Sequence, residues 1–210
     1  MLRILIVDDH AIVRRGLKDI LAEEFVAVEF GEAGTAAQAL DLVRQQQWDI
    51  VILDITLPGR GGLEVLRDVK QEYPELPVLI LSMHAEDQFA GRALRAGAAG
   101  YMTKENASAE LVRAVRKVLQ GGKYVSSSLA ELLAAGLATY AEKSRHETLS
   151  DREYQVMCMI ATGKLVTEIA KELSLSVKTI STYRARILEK MGLQNNAELT
   201  HYALSNRLVD

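Results

Sequence analysis

The sequence predicts an α/β protein: a doubly wound, five-stranded parallel sheet, followed by a small all-α domain of four helices. Three observations carry this. Up to about residue 120, short apolar runs rich in Val, Ile and Leu alternate with segments whose apolar residues recur three or four apart. Such runs suit strands buried on both faces, and the intervening segments have the length of crossover helices. From Ser150 onward no strand-like run occurs, and one helical pattern follows another.

In order, the strands are "LRILIV", "VAVEFGEA", "DIVILD", "PVLILS" and "AGYM". The helices between and after them are "AIVRRGLKDILAEE", "TAAQALDLVRQQ", "GGLEVLRDVKQEY", "AEDQFAGRALRAG" and "ASAELVRAVRKVLQ". Leu63, Leu66 and Val69 show the helical spacing directly. "GGKYVSSS" and "RHETLS" read as breaks, and "LAELLAAGLATYAEKS" between them reads as a helix weakened by Gly136. Ser150 with Glu153 forms a capping box that opens a new helix. The chain therefore divides into a domain over 1–120, a partly helical linker over 121–148 and a second domain over 149–210.

Length and charge agree with two ordinary domains. The 210 residues carry a net charge of −3, split as −4 over 1–144 and +1 over 145–210. That balance argues against a surface basic throughout, yet leaves room for one basic element on the second domain. A lone Cys158, in "VMCMIA", excludes an internal disulfide and a cysteine zinc cluster, and reads as a small buried apolar residue. No stretch approaches the roughly 18 apolar residues that cross a bilayer. The first apolar run is too short for a signal peptide and is interrupted by acids. A cytoplasmic protein with no membrane partner is expected.

In a sheet of this kind ligands sit beyond the carboxyl ends of the strands. Strand one ends in Asp8 and Asp9, strand three in Asp54 and strand four in Ser82, while Lys104 follows strand five. Adjacent carboxylates at the mouth of a core repel and lose hydration unless a cation lies between them. Three carboxylates with oxygen-only chemistry suit a hard divalent ion, Mg²⁺.

"LIVDDH", "DIVILDITLPGRGGLEVL", "PVLILSMH" and "AGAAGYMTKE" together resemble the receiver domain of bacterial two-component response regulators, a flavodoxin-like fold. The resemblance implies that Asp9 and Asp54 bind Mg²⁺ directly, Asp8 mainly through water, and Thr56 through its main-chain carbonyl. It implies that Asp54 is the phosphoacceptor for a cognate histidine kinase, that Lys104 and Ser82 hold the phosphoryl oxygens, and that Tyr101 is the switch aromatic. His10 reads as a loop residue rather than a ligand. Glu105 stands where many receivers have proline, which weakens any expectation of a cis peptide there.

The second domain contains "VTEIAKELSLSVKTISTYRARILEKMG". Ile169, Ala170 and Leu173 form one apolar stripe, and Val177, Ile180, Ile187, Leu188 and Met191 another, with Ser176 placed to cap the second helix. Off that stripe lie Lys178, Thr179, Ser181, Thr182, Ala185 and Arg186, with Arg184 at its edge and Lys190 beyond. Residues 178–190 carry a net +3. This pattern reads as a helix-turn-helix with a second helix suited to a major groove, the alternative being a solvated basic face on a plain helical bundle. Ser174 stands where glycine is common in the turn, so either it accepts that backbone conformation at some cost or the turn differs slightly.

From "LSDREYQVMCMIATGKLVTEIAKEL" through "AEL", the domain resembles the LuxR-type DNA-binding domain, and the pair resembles the NarL/FixJ class. The resemblance implies a phosphorylation-dependent transcriptional regulator, not an enzyme, that dimerises on phosphorylation and binds an inverted repeat in double-stranded promoter DNA. A constitutive DNA-binding protein with a receiver used only for protein contacts would lack the need for a complete acid–Lys104 set. A Mg²⁺-dependent phosphohydrolase of the haloacid dehalogenase type would need an acid where Thr56 stands, and its nucleophile on strand one.

Overall fold

The computed structural model describes residues 1–83, 86–126, 129–131, 145–206 and 208–209. The chain divides into two compact units, Met1–Ala134 and Ala135–Asp210. This division falls inside the span that the sequence marks as linker.

The first unit alternates strand and helix: β1 (Leu2–Val7), α1 (Ala11–Glu24), β2 (Val28–Ala33), α2 (Ala36–Gln45), β3 (Ile50–Asp54), α3 (Gly62–Glu72), β4 (Val78–Ser82), α4 (Glu86–Arg95), β5 (Gly100–Thr103) and α5 (Ala107–Leu119). The sheet runs β2-β1-β3-β4-β5 with every pairing parallel, as the alternating pattern predicts. Every residue of β3 and β4 is buried, which is why these strands read as unbroken apolar runs. The strand order reverses between β1 and β3, so the crevice for a ligand opens at their carboxyl ends.

Two boundaries differ from the sequence reading. The second strand begins at Val28 rather than Val26, because Ala27 adopts φ 59° and Val26 is left 96 % exposed. A left-handed residue cannot continue a β-ladder. Beyond α5 the chain also returns to the sheet, although residue 124 lies in the expected linker. Tyr124 donates its N–H to the Ala99 carbonyl (2.9 Å) and accepts from the Tyr101 N–H (3.2 Å). Its ring packs in the core with Met102, Leu111 and Val115. Gly100 permits the approach, since a Cβ there would lie 2.7 Å from the Tyr124 carbonyl. The linker helix expected over 129–144 lies outside the described residues except for 129–131, which are helical.

The second unit is helical. A 3₁₀ turn (Arg145–Thr148) leads into α6 (Asp151–Ala161), α7 (Val166–Glu172), α8 (Val177–Met191) and α9 (Asn196–Ser205). The capping box forms as expected: Ser150 Oγ accepts from the Glu153 N–H (3.3 Å), and Glu153 Oε2 accepts from the Ser150 N–H (2.8 Å). Ile169, Leu173, Ile180, Ile187, Met191 and Leu199 are buried. Ser174 sits at φ 52°, so of the two outcomes it is the serine that takes the strained conformation. No helix among the described residues is long and apolar enough to cross a membrane.

Candidate functional site

Parallel register brings four strand ends together. Val7 pairs with Leu53, Asp54 with Leu81, and Ser82 with Thr103. Asp8, Asp54, Ser82 and Lys104 therefore emerge side by side at the crevice. Asp8 and Asp54 are 1 % and 2 % exposed, and Ser82 is wholly buried.

Lys104 answers the acids. Its Nζ lies 2.6 Å from Asp8 Oδ2 and 2.8 Å from Asp54 Oδ2. Asp54 Oδ1 accepts from the Thr56 N–H at 3.0 Å. Burial pushes the Asp54 carboxyl up to about 6, against the pull of Lys104. Burial would also lower the Lys104 ammonium, but Asp54 and Asp8 outweigh it and hold it above its ordinary value. Asp54 is therefore largely a carboxylate at neutral pH and protonates close below it.

Asp9 is more open. His10, in the loop as expected, has its Nδ1 2.8 Å from Asp9 Oδ1 and 3.3 Å from Asp8 Oδ1. The ligand atoms of Asp8, Asp9 and His10 lie within 4.8 Å of one another. Together with Asp54, which shares Lys104 with Asp8, the acid pair offers oxygen donors that fit a hard divalent cation. Tyr101 is wholly buried on β5.

The close approach of α3 matters here. Gly62 donates its N–H to the Ile55 carbonyl at 2.8 Å, and a Cβ on Gly62 would meet the Asp54 carbonyl at 2.0 Å. The strand end that carries Asp54 is thus pressed directly on the first turn of α3.

On α8, Lys178, Ser181, Thr182, Ala185 and Arg186 share an exposed face opposite Ile180, Ile187 and Met191. The Ser181 and Thr182 hydroxyls donate to the Val177 and Lys178 carbonyls at 2.9 and 3.0 Å. The other three expected contact residues also bond within the unit. The Thr179 hydroxyl meets Ser176 at 2.7 Å, Arg184 Nε donates to Asn196 at 2.6 Å, and Lys190 Nζ lies 2.6 Å from Glu153. Sequence reasoning did not single out Arg14, whose Nη1 donates to the Asp8 carbonyl at 2.7 Å. The signal was its position three and seven residues before Leu17 and Leu21 are counted, on their inward stripe.

A parallel sheet with an acid–lysine crevice, joined in one chain to a helix-turn-helix unit, is the architecture of a response regulator with a DNA-binding domain. Comparison with known proteins agrees: residues 4–116 match the response regulator receiver domain and residues 147–203 the bacterial regulatory proteins of the luxR family. The chain belongs to the NarL/FixJ class of two-component response regulators. It is 36 % identical to the response regulator UvrY of Escherichia coli K12, over all of this chain and 97 % of that protein. It is 38 % identical to the response regulator GacA of Pseudomonas aeruginosa, over all of this chain and 99 % of that protein. Among solved structures, RcsB of Salmonella enterica serovar Typhimurium, bound to promoter rprA in the presence of the phosphomimetic BeF3⁻, matches with a TM-score of 0.64 and 28 % identity, covering 98 % of this chain and all of that one.

Proposed function

We propose that this regulator is switched by phosphorylation of Asp54 and, once switched, binds an inverted repeat in promoter DNA as a homodimer. The observation that carries the reading is the Lys104 ammonium held between Asp8 and Asp54 at 2.6 and 2.8 Å. Residues 1–120 form the phosphoacceptor domain, 121–148 the linker and 149–210 the DNA-binding domain.

In the transfer step, an Asp54 carboxylate oxygen attacks the phosphorus of a kinase phosphohistidine. A P–O bond forms, the P–N bond breaks, and the histidine nitrogen keeps the electron pair. Asp8, Asp9, Asp54 and the Thr56 carbonyl would hold Mg²⁺, which when bound neutralises phosphoryl charge and aligns the reactants. Asp54 is oriented by the Thr56 N–H and by Lys104. As the phosphoryl group arrives, Lys104 passes from the carboxylate to the phosphoryl oxygens, and the Ser82 hydroxyl donates to the same group. Tyr101, wholly buried on β5, would serve as the switch aromatic that responds to movement of the Ser82 loop.

DNA binding rests on the exposed face of α8, where Lys178 and Arg186 meet phosphates and Ser181, Thr182 and Ala185 meet base edges. RcsB, a 28 % identical neighbour, is known bound to promoter DNA, which supports this reading. Arg184 keeps its two Nη groups, and Lys190 its remaining N–H donors, beside their present partners, so both can join the contact, with Thr179 alongside. The phosphorylation reading is tested with acetyl phosphate, Mg²⁺ and intact-mass measurement. Wild type should gain one phosphoryl group and Asp54→Asn none; a gain on another carboxylate in the variant would overturn the assignment.

A further inference from the structure

We infer that Arg14 is a positioning residue for the acid pair: it fixes the Asp8–Asp9 peptide so that the Asp9 carboxylate faces the cation position. The inference rests on the cation-binding reading above. It begins from an asymmetry between the two acids. Asp8 is fixed by its own atoms: its N–H donates to the Ala33 carbonyl (3.1 Å), Oδ1 accepts from the His10 N–H (2.8 Å), and Oδ2 meets Lys104. Asp9 is 32 % exposed along its side chain and meets the His10 imidazole, itself 68 % exposed. An imidazole so exposed does not by itself fix the Asp9 carboxylate. The direction of the Asp9 side chain is therefore set by the peptide plane that precedes it.

Arg14 holds that plane. Its Nη1 donates to the Asp8 carbonyl at 2.7 Å, and its Nε donates to Glu32 Oε2 at 3.0 Å. Glu32 also pairs with Lys18, and Lys18 and Arg14 together keep its carboxyl below the ordinary range. The guanidinium side chain is 17 % exposed. One planar fork thus links β2, through Glu32, to the end of β1 from a seat on α1. An ammonium could replace the charge but not both bonds.

The sign of the effect separates positioning from plain electrostatics. A guanidinium near a cation site repels a second cation, so removing its charge should tighten Mg²⁺ binding by Coulomb's law. If Arg14 positions the ligands, removing it should weaken binding instead, by about ten-fold, the usual cost of losing a group that orients a metal ligand.

The test measures Mg²⁺ binding to the full chain by calorimetry, with melting temperature in EDTA alongside. Arg14→Gln and Arg14→Lys should both weaken binding by about ten-fold, while Arg15→Gln, which removes an exposed charge from the same turn, should not. Glu32→Gln, which leaves Arg14 in place but unbraced, should weaken it less and in the same direction. Unchanged or tighter binding in Arg14→Gln overturns the inference. So does a lower melting temperature in EDTA with unchanged affinity. If Arg14→Gln does not fold, undiminished affinity in Glu32→Gln overturns it. A wild type that binds no Mg²⁺ sinks the cation-binding reading itself, a result distinct from equal binding in wild type and variants.

Discussion

At the scale of single residues, the crevice is a balance of burial against charge. Asp54 is pushed up to about 6 chiefly by desolvation, with Lys104 opposing. Its folded pKa therefore lies above its unfolded value near 3.8. Between those values the folded state carries more protons, so this group favours folding as pH falls and costs stability as pH rises through about 6. Cation binding runs the other way, because a ligating carboxylate must first shed its proton. The rise in melting temperature produced by Mg²⁺ should accordingly be full at pH 8 and shrink as pH drops through about 6. Thermal denaturation with and without Mg²⁺ at pH 5, 6, 7 and 8 checks this. A shift as large at pH 5 as at pH 8 would contradict it.

At the scale of elements, the site depends on how closely helices meet strand ends. Gly62 opens α3 against the Asp54 carbonyl, where a Cβ would stand at 2.0 Å. A backbone atom cannot yield as a flexible side chain does, so Gly62→Ala should destabilise the first unit by about 1–3 kcal/mol. It should also slow acetyl phosphate labelling by moving Asp54. Urea denaturation and the labelling rate measure the two effects, and an unchanged variant would show that α3 can slide. In the second unit, Glu153 ties Ser150 on α6 to Lys190 on α8. Burial raises its carboxyl, but Lys190 and Ser150 outweigh burial and leave it below the ordinary value. A lowered folded pKa means that its contribution is complete above the unfolded value of about 4.5 and is lost as pH falls through the folded one. Glu153→Gln should cost about 1–2 kcal/mol at pH 7, and progressively less in acid. An equal loss at pH 7 and pH 3 would remove the ion pair from the account.

At the scale of the whole molecule, each unit has its own buried core. Inter-domain contacts in such chains are commonly modest and separable. A fragment of residues 135–210 should fold and bind an inverted repeat without any phosphodonor. Within it, Lys178→Ala should weaken binding to every sequence alike and lower the salt slope by about one. Thr182→Ala should instead change the preferred sequence, at a cost of about 1–3 kcal/mol for one position. Affinities on chosen and scrambled DNA across a salt series distinguish these roles, and a fragment that binds only when phosphorylated receiver is supplied would refute the separation.

Periodicity and strand-end chemistry were legible in the sequence. Unbroken apolar runs identified β1, β3 and β4, helical spacing identified the exposed face of α8, and the acids after β1 and β3 marked the crevice. Each of these is a local pattern, because burial repeats with the period of the element. The convergence of Lys104 on the acids was legible too, while the tertiary structure alone decided other partners: Arg14 turning to the Asp8 carbonyl while Arg15 faces solvent, Lys190 pairing with Glu153, and Tyr124 returning to the edge of β5. Long side chains reach in several directions from one backbone position, and which direction is used depends on what crossover helices and sheet register place within bonding distance.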